Sequence, residues 1–486
     1  MQRFSHWAAF LAVLVLAAFL FSFLVARYAK ATGTVAFVVG GNLYARNLAT
    51  GSLQTVAKGG VTYLSWSPNG SALAYLQGGV LKAIPYPAGG LVRRLGPAAW
   101  FRWAPGGKAI AYAGPRGGLM VTGGSRLNRS TQVSRHALRG YWSPGGKRLA
   151  FSVPGRGLGI YDLSNLAPTP TIVGPRFFPV AASTQLCWSP AGKGIAFVKR
   201  LPHPRPIPGA GGKTYYSYSH ALTVLDPATG RTRVLFSVPG GGVVPYGWWP
   251  NGQGLIFWTI PQNSMSLAAD GEGLYSMPLA GGRPRLLGTS LVNSDFLAWS
   301  PKGNLLAVVL GGSRDAPLGK NLDLFRPDGT GRRLLAGTKT VSALYPVWSS
   351  GGQEIAYLSM PSGPYDPRQF STASGSFNWS VWKVGTSGKG RTRVAAVPSG
   401  IGSYQWTRFT PDGHHMLVVD RLAGPNQPGP AQLFLMDTNG EHVILLAQGL
   451  GAGSGSGFQG LATGDPNGLF YGQVDWSSLV ALRPAS

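Results

Sequence analysis

The chain has 486 residues, which is too long for one hydrophobic core of ordinary size. This length fits two or three domains, or one large repeat architecture. Hydrophobic residues are 44% of the chain, enough for a packed globule rather than a disordered polymer. The net charge is +27, although charged residues are only 12% of the total. Such a basic balance fits an anionic partner, colloidal solubility, or an acidic habitat in which few carboxylates are an advantage.

The first predicted element is an apolar segment. Trp7–Ala26 carries no charge over twenty positions, which is long enough to cross a bilayer as a helix. The alternative is a signal peptide cleaved after Ala29-Lys30-Ala31, but the run exceeds the usual apolar length of about 7–15 residues. We expect residues 1–32 to be a membrane anchor or signal segment. Residues 33–486 would then lie outside the cytoplasm at the cell membrane, or be secreted after cleavage.

A short phrase then recurs along the chain, as in LSWSPNGSALAYL, which begins at Leu64. Successive copies are 37 to 61 residues apart, a period that indicates a stacked array of similar units. Each copy carries one aromatic residue before the turn: Trp66, Trp103, Trp142, Trp188, Trp248, Trp299, Trp348 and Phe409.

Each copy predicts the same four strands. A short strand ends at the aromatic residue, and a tight turn such as Pro68-Asn69-Gly70 follows. An apolar second strand, a third strand such as Gly159–Leu163 and a basic fourth strand complete the unit. Four antiparallel strands of this kind form one blade of a β-propeller, with the aromatic residue placed to wedge between blades. One blade cannot bury both of its faces, so the blades must stack and close.

The phrases WSPNG, WSPGGK and WSPAGK, each followed by an apolar strand, resemble the WSPDGxxIAF repeats of TolB-like (WD40-like, PD40) β-propellers. The resemblance covers essentially everything after the apolar segment. It implies an all-β fold with one β-propeller of four-stranded antiparallel blades, preceded by a transmembrane helix. It says little about function, because the family includes scaffolds, binding modules and the propeller halves of peptidases. The usual turn Asp occurs once, as Asp412, so a contact made through it is not expected elsewhere.

The two ends of the chain predict a shared blade. Thr34–Val56 supplies a second, third and fourth strand without a first, and Gly460–Pro484 begins with a plausible first strand. Combining them would remove exposed sheet edges. The count is then eight full units plus one hybrid, which gives eight, possibly nine, blades.

The later blades carry insertions between their second and third strands. These connections emerge on the same face as the loops that link blades, so they extend one surface, where function is often located. The five insertions are Arg200–Tyr218, Pro261–Gly271, Gly311–Lys320, Pro361–Asn378 and Gly424–Pro430.

Two insertions are rich in Tyr, Trp and Arg, the residue types enriched at binding hot spots. They predict a protein-binding face or a small-molecule or glycan site, unless the aromatic residues merely pack onto their own blades. The candidate binding residues are Arg200, His203, Arg205, Tyr215, Tyr216 and Tyr218 in one, and Tyr365, Arg368, Phe377 and Trp379 in the other.

Arginine pairs recur on the predicted fourth strands. Charges on an outer strand discourage edge-to-edge pairing, and here they would also create a basic rim. The residues are Arg93, Arg94, Arg231, Arg233, Arg283, Arg285, Arg332, Arg333, Arg391 and Arg393.

Catalytic motifs are missing from the sequence, which has no G-x-S-x-G, H-E-x-x-H or P-loop. The single cysteine, Cys187, allows no internal disulfide, and we interpret it as a small buried hydrophobe. Adjacent His414 and His415 on a strand would point to opposite faces and could not grip one metal together. We therefore predict neither a metal nor a cofactor.

We expect a binding or scaffold module for an envelope protein or an anionic or glycan polymer. The alternative is a secreted enzyme with a site built from loops at the channel mouth. Ionisable residues converging there with perturbed pKa values would favour an enzyme, and an aromatic outer patch would favour binding. Nucleic acid is not an expected partner, because export argues against it.

Overall fold

A computed structural model describes residues 31–484 apart from 88–89, 124–126, 128, 154–156, 164–170, 174–184, 209–211, 261–270, 313–317, 363–379, 395–401, 423–430 and 451–474. Within these ranges the regular structure consists of 36 strands and two short 3-10 turns, Ser294–Phe296 and Trp476–Ser478. No helix of the described ranges is long and apolar enough to cross a membrane. The predicted membrane segment Trp7–Ala26 lies outside them.

The strands fall into groups of four, which we call blades. A closing blade combines both ends of the chain and precedes blade 1 in the ring. Its strands are β1 (Thr34–Val39), β2 (Asn42–Asn47), β3 (Leu53–Ala57) and β36 (Val480–Leu482). Blade 1 consists of β4 (Val61–Trp66), β5 (Ala72–Gln77), β6 (Val80–Pro85) and β7 (Arg93–Pro97), and blade 2 of β8 (Trp100–Trp103), β9 (Ile110–Gly114), β10 (Gly117–Gly123) and β11 (Arg129–Ser134). Blade 3 consists of β12 (Tyr141–Trp142), β13 (Arg148–Val153), β14 (Gly157–Asp162) and β15 (Thr171–Val173), and blade 4 of β16 (Cys187–Trp188), β17 (Ile195–Pro208), β18 (Thr214–Leu225) and β19 (Thr232–Ser237).

Blades 5 to 8 follow the same order, strand by strand. Blade 5 consists of β20 (Gly242–Trp248), β21 (Gly254–Ile260), β22 (Glu272–Pro278) and β23 (Arg285–Ser290), and blade 6 of β24 (Leu297–Trp299), β25 (Leu306–Leu310), β26 (Asn321–Phe325) and β27 (Arg333–Ala336). Blade 7 consists of β28 (Val341–Trp348), β29 (Glu354–Pro361), β30 (Ser380–Gly385) and β31 (Thr392–Arg393), and blade 8 of β32 (Gly402–Phe409), β33 (His415–Leu422), β34 (Ala431–Asp437) and β35 (Val443–Leu450).

The sheet topology confirms the propeller and its closure by both ends of the chain. Seven sheets have four strands, and one has eight. The eight-stranded sheet consists of blade 8 and the closing blade, whose strands β35 and β1 pair at the single residue pair Val39↔Leu450. In the closing blade β36 pairs with β1, with Val35 opposite Leu482. The described closing strand, Val480–Leu482, lies within the predicted segment Gly460–Pro484, whose first fifteen residues lie outside the described ranges. With this strand the described four-stranded units number nine.

A ladder of hydrogen bonds joins the first strands of neighbouring blades. The indole Nε1 of Trp103 donates to the carbonyl of Ser65 at 3.2 Å, and Ser65 directly precedes Trp66 of the blade before. This explains the repeated phrase, because each Trp fills the gap between blades and also binds the backbone of its neighbour. The other bonds run from Trp66 to Ala481, Trp142 to Arg102, Trp188 to Tyr141, Trp248 to Cys187 and Trp348 to Ala298.

In the part of the chain that the structure describes, three of the nine junctions lack this bond. Leu482, at the aromatic position of the closing blade, has no N–H in its side chain. Phe409 has no N–H and packs as a plain hydrophobe, 9% exposed. Among the described residues, the Trp299 indole makes no such bond; the register of β20 in the preceding blade shifts between Pro245 and Gly247. There the contact runs the other way, because the Tyr246 hydroxyl donates to the Leu297 carbonyl at 3.0 Å.

The turns between first and second strands stack around the ring as well. A Cβ built on Gly146 would lie 3.4 Å from Cδ of Pro105 in the turn of the previous blade, which is close van der Waals contact. The φ of Gly146 is +67°, which is the reason for glycine at this position. The nine contacts that complete the circle are Gly70–Pro484, Gly107–Asn69, Gly146–Pro105, Gly192–Pro144, Gly252–Pro190, Gly303–Pro250, Gly352–Pro301, Gly413–Ser350 and Gly33–Pro411.

The fourth-strand arginines lie at the surface as expected; Arg93 is half-buried and the other nine are exposed. Some also bind the next blade. Arg233 donates to the Leu279 carbonyl at 2.5 Å and Arg333 to the Thr386 carbonyl at 2.7 Å, in both cases beside the turn after a third strand. These side chains therefore hold neighbouring blades together, in addition to charging the outer edge.

A network of histidines and carboxylates lies where blade 8 meets the closing blade. Asp412 Oδ2 accepts from the backbone N of Thr32 at 2.8 Å, while its Oδ1 lies 3.2 Å from Nδ1 of His415. The other nitrogen of His415 lies 3.3 Å from Asp437, which also contacts His442 at 2.6 Å. The only turn Asp of the repeats therefore fixes the incoming chain to the ring.

Substitution Trp142→Phe should lower the free energy of unfolding by about 1–2 kcal/mol, because the Arg102 carbonyl loses its donor while most of the packing remains. Denaturant titration of the full-length protein measures the change. Trp299→Phe is the matched control, since its indole lacks the bond. Equal losses in the two variants would show that the hydrogen bond does not stabilise the ring.

Substitution Asp412→Asn should destabilise the protein at neutral pH and much less in acid. Partial burial raises the pKa of Asp412, but hydrogen bonds from Thr32, His414, Thr410 and His415 outweigh it and lower the pKa from 3.8 to about 2. The stabilisation of the fold by the ionised Asp412 carboxylate is therefore fully present above pH 3.8 and is lost as the pH falls through 2. Because solvent screens this partly exposed carboxylate, the stabilisation amounts to about 1 kcal/mol. Denaturant titrations at pH 7, 4 and 2 test this, and a difference independent of pH would contradict it.

Candidate functional site

The insertion Arg200–Tyr218 is an extended hairpin, where the sequence suggested a loop. β17 and β18 continue past the blade, and after an irregularity between Arg200 and Pro204 they pair from Pro204↔Tyr218 to Pro208↔Thr214. The alternation of Tyr with Thr and Ser in β18 suits a strand, and this local preference was the available signal. The hairpin is thus a rigid extension of blade 4.

Proline occupies every second position of the projecting part of β17, at Pro202, Pro204, Pro206 and Pro208. Alternate N–H groups of a strand point to opposite edges, so these prolines remove the donors of one edge. The remaining donors must face β18, because the two strands are paired. The outer edge of β17 therefore offers no N–H to another strand over this stretch.

The two faces of the hairpin differ. Ile207 lies against Gly240, between blades 4 and 5, so its face rests on the ring. The opposite face carries Pro204 and Pro206 across from Tyr218 and Tyr216. Tyr216 is 73% exposed and Tyr218 37%. We call this outward surface, formed by Pro204, Pro206, Tyr216 and Tyr218, the proline–tyrosine face.

A guanidinium group adds charge beside this face. Arg200 lies over the ring of Tyr218, with its Cζ 4.4 Å from the ring centroid, a cation–π contact. His203, Arg205 and Lys213 are exposed on the same hairpin, and the segment 195–225 contains no Asp or Glu. The hairpin therefore combines flat apolar rings with positive charge.

The structure brings together Arg200, His203, Arg205, Tyr215, Tyr216 and Tyr218 on this hairpin, although Arg205 and Tyr215 belong to the face that carries Ile207. The other four candidates, Tyr365, Arg368, Phe377 and Trp379, lie outside the described residues. Their part in a site stays a prediction.

The first strands line a central channel. Neighbouring residues of a strand point to opposite sides, so the residue before each buried blade aromatic faces the channel. Arg102 and Arg408 occupy this position in blades 2 and 8, and both are exposed. The other members of this layer are Ser65, Tyr141, Cys187, Gly247, Ala298, Val347 and Ala481, all half-buried.

Aromatic and ionisable residues converge nearer the channel mouth, where the first strands begin. Asp295 lies in a 3-10 turn just before β24, and Asp475 caps the turn before β36. The half-buried residues Tyr63, Trp100, Arg139, Tyr246, Tyr345 and Trp406 also lie here. These residues were not predicted from the sequence. The six half-buried ones lie two to three residues before the aromatic residue of their blade, and this regular spacing could have indicated them.

Burial and neighbouring charges shift the pKa values of three channel residues, Tyr63, Tyr246 and Arg408, without changing their protonation states at neutral pH. Burial raises the pKa of Tyr63, with a further contribution from Asp475, and burial also raises the pKa of Tyr246. Protein atoms crowd Arg408 within the channel; this desolvation lowers the pKa of its guanidinium, and Asp295 and Asp475 oppose the change. The tyrosines therefore remain neutral phenols and the arginine remains charged at neutral pH.

Cys187 is unsuited to nucleophilic chemistry, since burial raises the pKa of its thiol to about 12. The thiolate, which is the reactive form, is essentially absent at neutral pH. Among the described residues no group of three or more His, Cys, Asp or Glu side chains is placed to hold a metal ion.

The fold defines a β-propeller, and solved structures with the same fold confirm this class. The chain is similar to the dipeptidyl peptidase 4 of Porphyromonas gingivalis, at 14% identity and a TM-score of 0.52, over 80% of this chain and 59% of that one. It is also similar to a eukaryotic initiation factor, at 12% identity and a TM-score of 0.55, over 86% and 99% of the two chains.

The four-stranded antiparallel sheets confirm the propeller fold that the resemblance to TolB-like proteins implied. The similar structures include a TolB of Agrobacterium tumefaciens, at 16% identity and a TM-score of 0.29, over 74% of this chain and 96% of that one. No protein-family model and no curated protein matches the sequence. At such identities the likeness concerns architecture alone, and the chain spans 59% of the length of the peptidase.

Cys187 should resist thiol reagents in the folded protein at pH 8, because its high pKa keeps it protonated and its surroundings are packed. Labelling of the full-length protein with a maleimide, followed by mass spectrometry, measures this. Full modification should require denaturant. Rapid labelling under native conditions would show that the thiol is exposed and ionisable.

Proposed function

We propose that this protein is a membrane-anchored binding module outside the cytoplasm, and that its insertion-bearing face binds an anionic, sugar-containing polymer of the cell envelope. The observation that carries the proposal is the proline–tyrosine face beside the stacked pair of Arg200 and Tyr218. Exposed tyrosines on a rigid projection otherwise cost solubility and invite non-specific contacts.

The chemistry of the hairpin matches such a ligand in two ways. Tyr216 and Tyr218 are two residues apart on one strand face, so their rings are spaced by about 7 Å and can stack on successive sugar rings. Arg200 presents a planar set of donors suited to carboxylate or phosphate groups. Because its guanidinium already lies over Tyr218, little side-chain freedom is lost on binding.

The channel mouth offers similar chemistry on the same face. Arg139 adds positive charge at the mouth, Arg102 and Arg408 add it deeper in the channel, and Trp100 and Trp406 add aromatic surface. Arg408 lies over the ring of Trp406 at 5.6 Å, so this guanidinium is held against an aromatic ring as Arg200 is. A polymer binding the hairpin would meet compatible groups at the mouth.

A second candidate is an enzyme with its site at the channel mouth. The observation in its favour is the convergence of Arg139, Arg408, Asp295 and Asp475 from different blades. Against it, the tyrosine pKa values are raised away from neutrality and the Cys187 thiol is protonated. The groups described here suit recognition of an anion better than transfer of a proton.

The test measures binding of the detergent-solubilised full-length protein to a uronic-acid polysaccharide and to a neutral glucan of similar length. We expect binding to the acidic polymer only, weakening as salt is raised. Tyr216→Ala/Tyr218→Ala should reduce affinity about tenfold or more, since exposed aromatic residues dominate such contacts. Tyr215→Ala is the matched control and should change it little.

Equal binding of both polymers, or equal losses for the two tyrosine variants, would overturn the polymer proposal. A photo-crosslinker at position 216 in intact cells gives the remaining outcome. If one envelope protein is captured repeatedly, and is no longer captured when the hairpin contact is displaced, the partner is a protein instead of a polymer. Turnover of the acidic polymer would favour the enzyme.

A further inference from the structure

The incoming chain is fixed to one particular face of the ring. β1 is the second strand of the closing blade, so it begins at the face that carries the turns between first and second strands, which we call the turn face. Thr32 donates to Asp412 in such a turn at 2.8 Å, and Gly33 packs against Pro411. Ala31 is 1% exposed. The described chain therefore starts against the turn face, opposite the insertions.

The tether to the apolar segment is short. Residues 27–30 separate Ala26, the last residue of the uncharged run, from buried Ala31. Five fully extended peptide steps span at most about 18 Å. An anchor that ends at Ala26 therefore holds the turn face near the lipid headgroups.

Lysines recur on the turn face at equivalent positions. Lys108, Lys147 and Lys193 each follow the turn glycine in blades 2, 3 and 4, and Lys302 lies in the turn of blade 6. All four are exposed, and no ion pair within the described ranges engages them. In the ring of nine blades, blades 4 and 5 lie opposite the closing blade, so the lysines occupy the far side from the entry point.

We propose that the turn face is apposed to the membrane and that these lysines bind anionic lipid headgroups. The inference rests on the membrane anchor of the proposed function. The entering chain holds one side of the ring and the lysines hold the other, so the turn face lies flat against the bilayer. The proline–tyrosine face and the channel mouth then point away from the membrane. Near an anionic surface, each lysine strengthens the contact about fivefold.

Carboxylates also lie on the turn face, and bases stand beside them. Asp162, Asp226 and Asp328 end or follow the third strands of blades 3, 4 and 6. Arg148 lies opposite Asp162 in the sheet, Arg231 follows Asp226 in the same turn, and Arg326 precedes Asp328 in the same turn. Each of these carboxylates thus has a basic neighbour, and the lysines add positive charge beyond it. Asp412, Asp437 and Glu441 lie on blade 8, beside the entry point, where the covalent tether holds the ring.

The experiment reconstitutes full-length protein, carrying Cys187→Ala, into vesicles of phosphatidylcholine with phosphatidylglycerol. A fluorophore is attached at Gly145→Cys on the turn face or at Tyr216→Cys on the hairpin. Gly145 is exposed and a Cβ there meets nothing within 4 Å, so the label is tolerated. Lipids with a headgroup-linked quencher should quench the first label several-fold more than the second.

The role of the lysines is tested in the same vesicles. Lys108→Gln/Lys147→Gln/Lys193→Gln should lose most of the extra quenching at position 145 that phosphatidylglycerol gives over neutral lipid. The matched control, Lys58→Gln/Arg116→Gln/Lys339→Gln, removes the same charge from exposed positions on the opposite face and should retain it.

Two failures are distinguishable. If alkaline carbonate washes the protein off the vesicles, the anchor is wrong and the inference is overturned with it. If the protein is retained but position 216 is quenched as strongly as position 145, or the two triple variants behave alike, the anchor stands and this inference is wrong.

Discussion

The structure depends on the contact between the tryptophan of one blade and the backbone of the blade before it. A four-stranded blade exposes two apolar faces and is unstable alone, so every blade must find a neighbour on both sides. The Trp ring fills that gap, and its indole N–H satisfies a carbonyl on the neighbouring first strand. The bond recurs at six of the nine junctions, and Trp299, Phe409 and Leu482 occupy the equivalent position at the other three.

The repeat also explains which parts of the fold were predictable. The aromatic positions, the glycine turns and the order of four strands follow from a local pattern repeated eight times, and the structure confirms them. The count of nine was left open, because it depends on how the two ends of the chain pair. Val480–Leu482 is a strand of three residues without the repeated phrase, so only its pairing with Val35–Phe37 identifies it as the ninth first strand.

The candidate site was predictable in composition but not in form. Arg200, Tyr216 and Tyr218 were selected for their residue types, yet their shared surface depends on strand register. The channel residues were missed for a related reason. Arg102 and Arg408 are more than 300 positions apart, and only ring closure brings their first strands to one channel. The repeat marks equivalent positions along the chain, but only the closed ring shows that their side chains meet.

The closing blade has a consequence for biogenesis. Its second, third and fourth strands are made first, and its innermost strand lies among the last residues of the described chain. Until Val480–Leu482 has been made, β1 lacks its inner partner and Trp66 lacks the carbonyl of Ala481. The ring therefore remains an open arc, with two apolar blade faces exposed, until this strand is added. A chain without this strand presents an open arc to quality-control proteins, and a chain with it presents a closed ring.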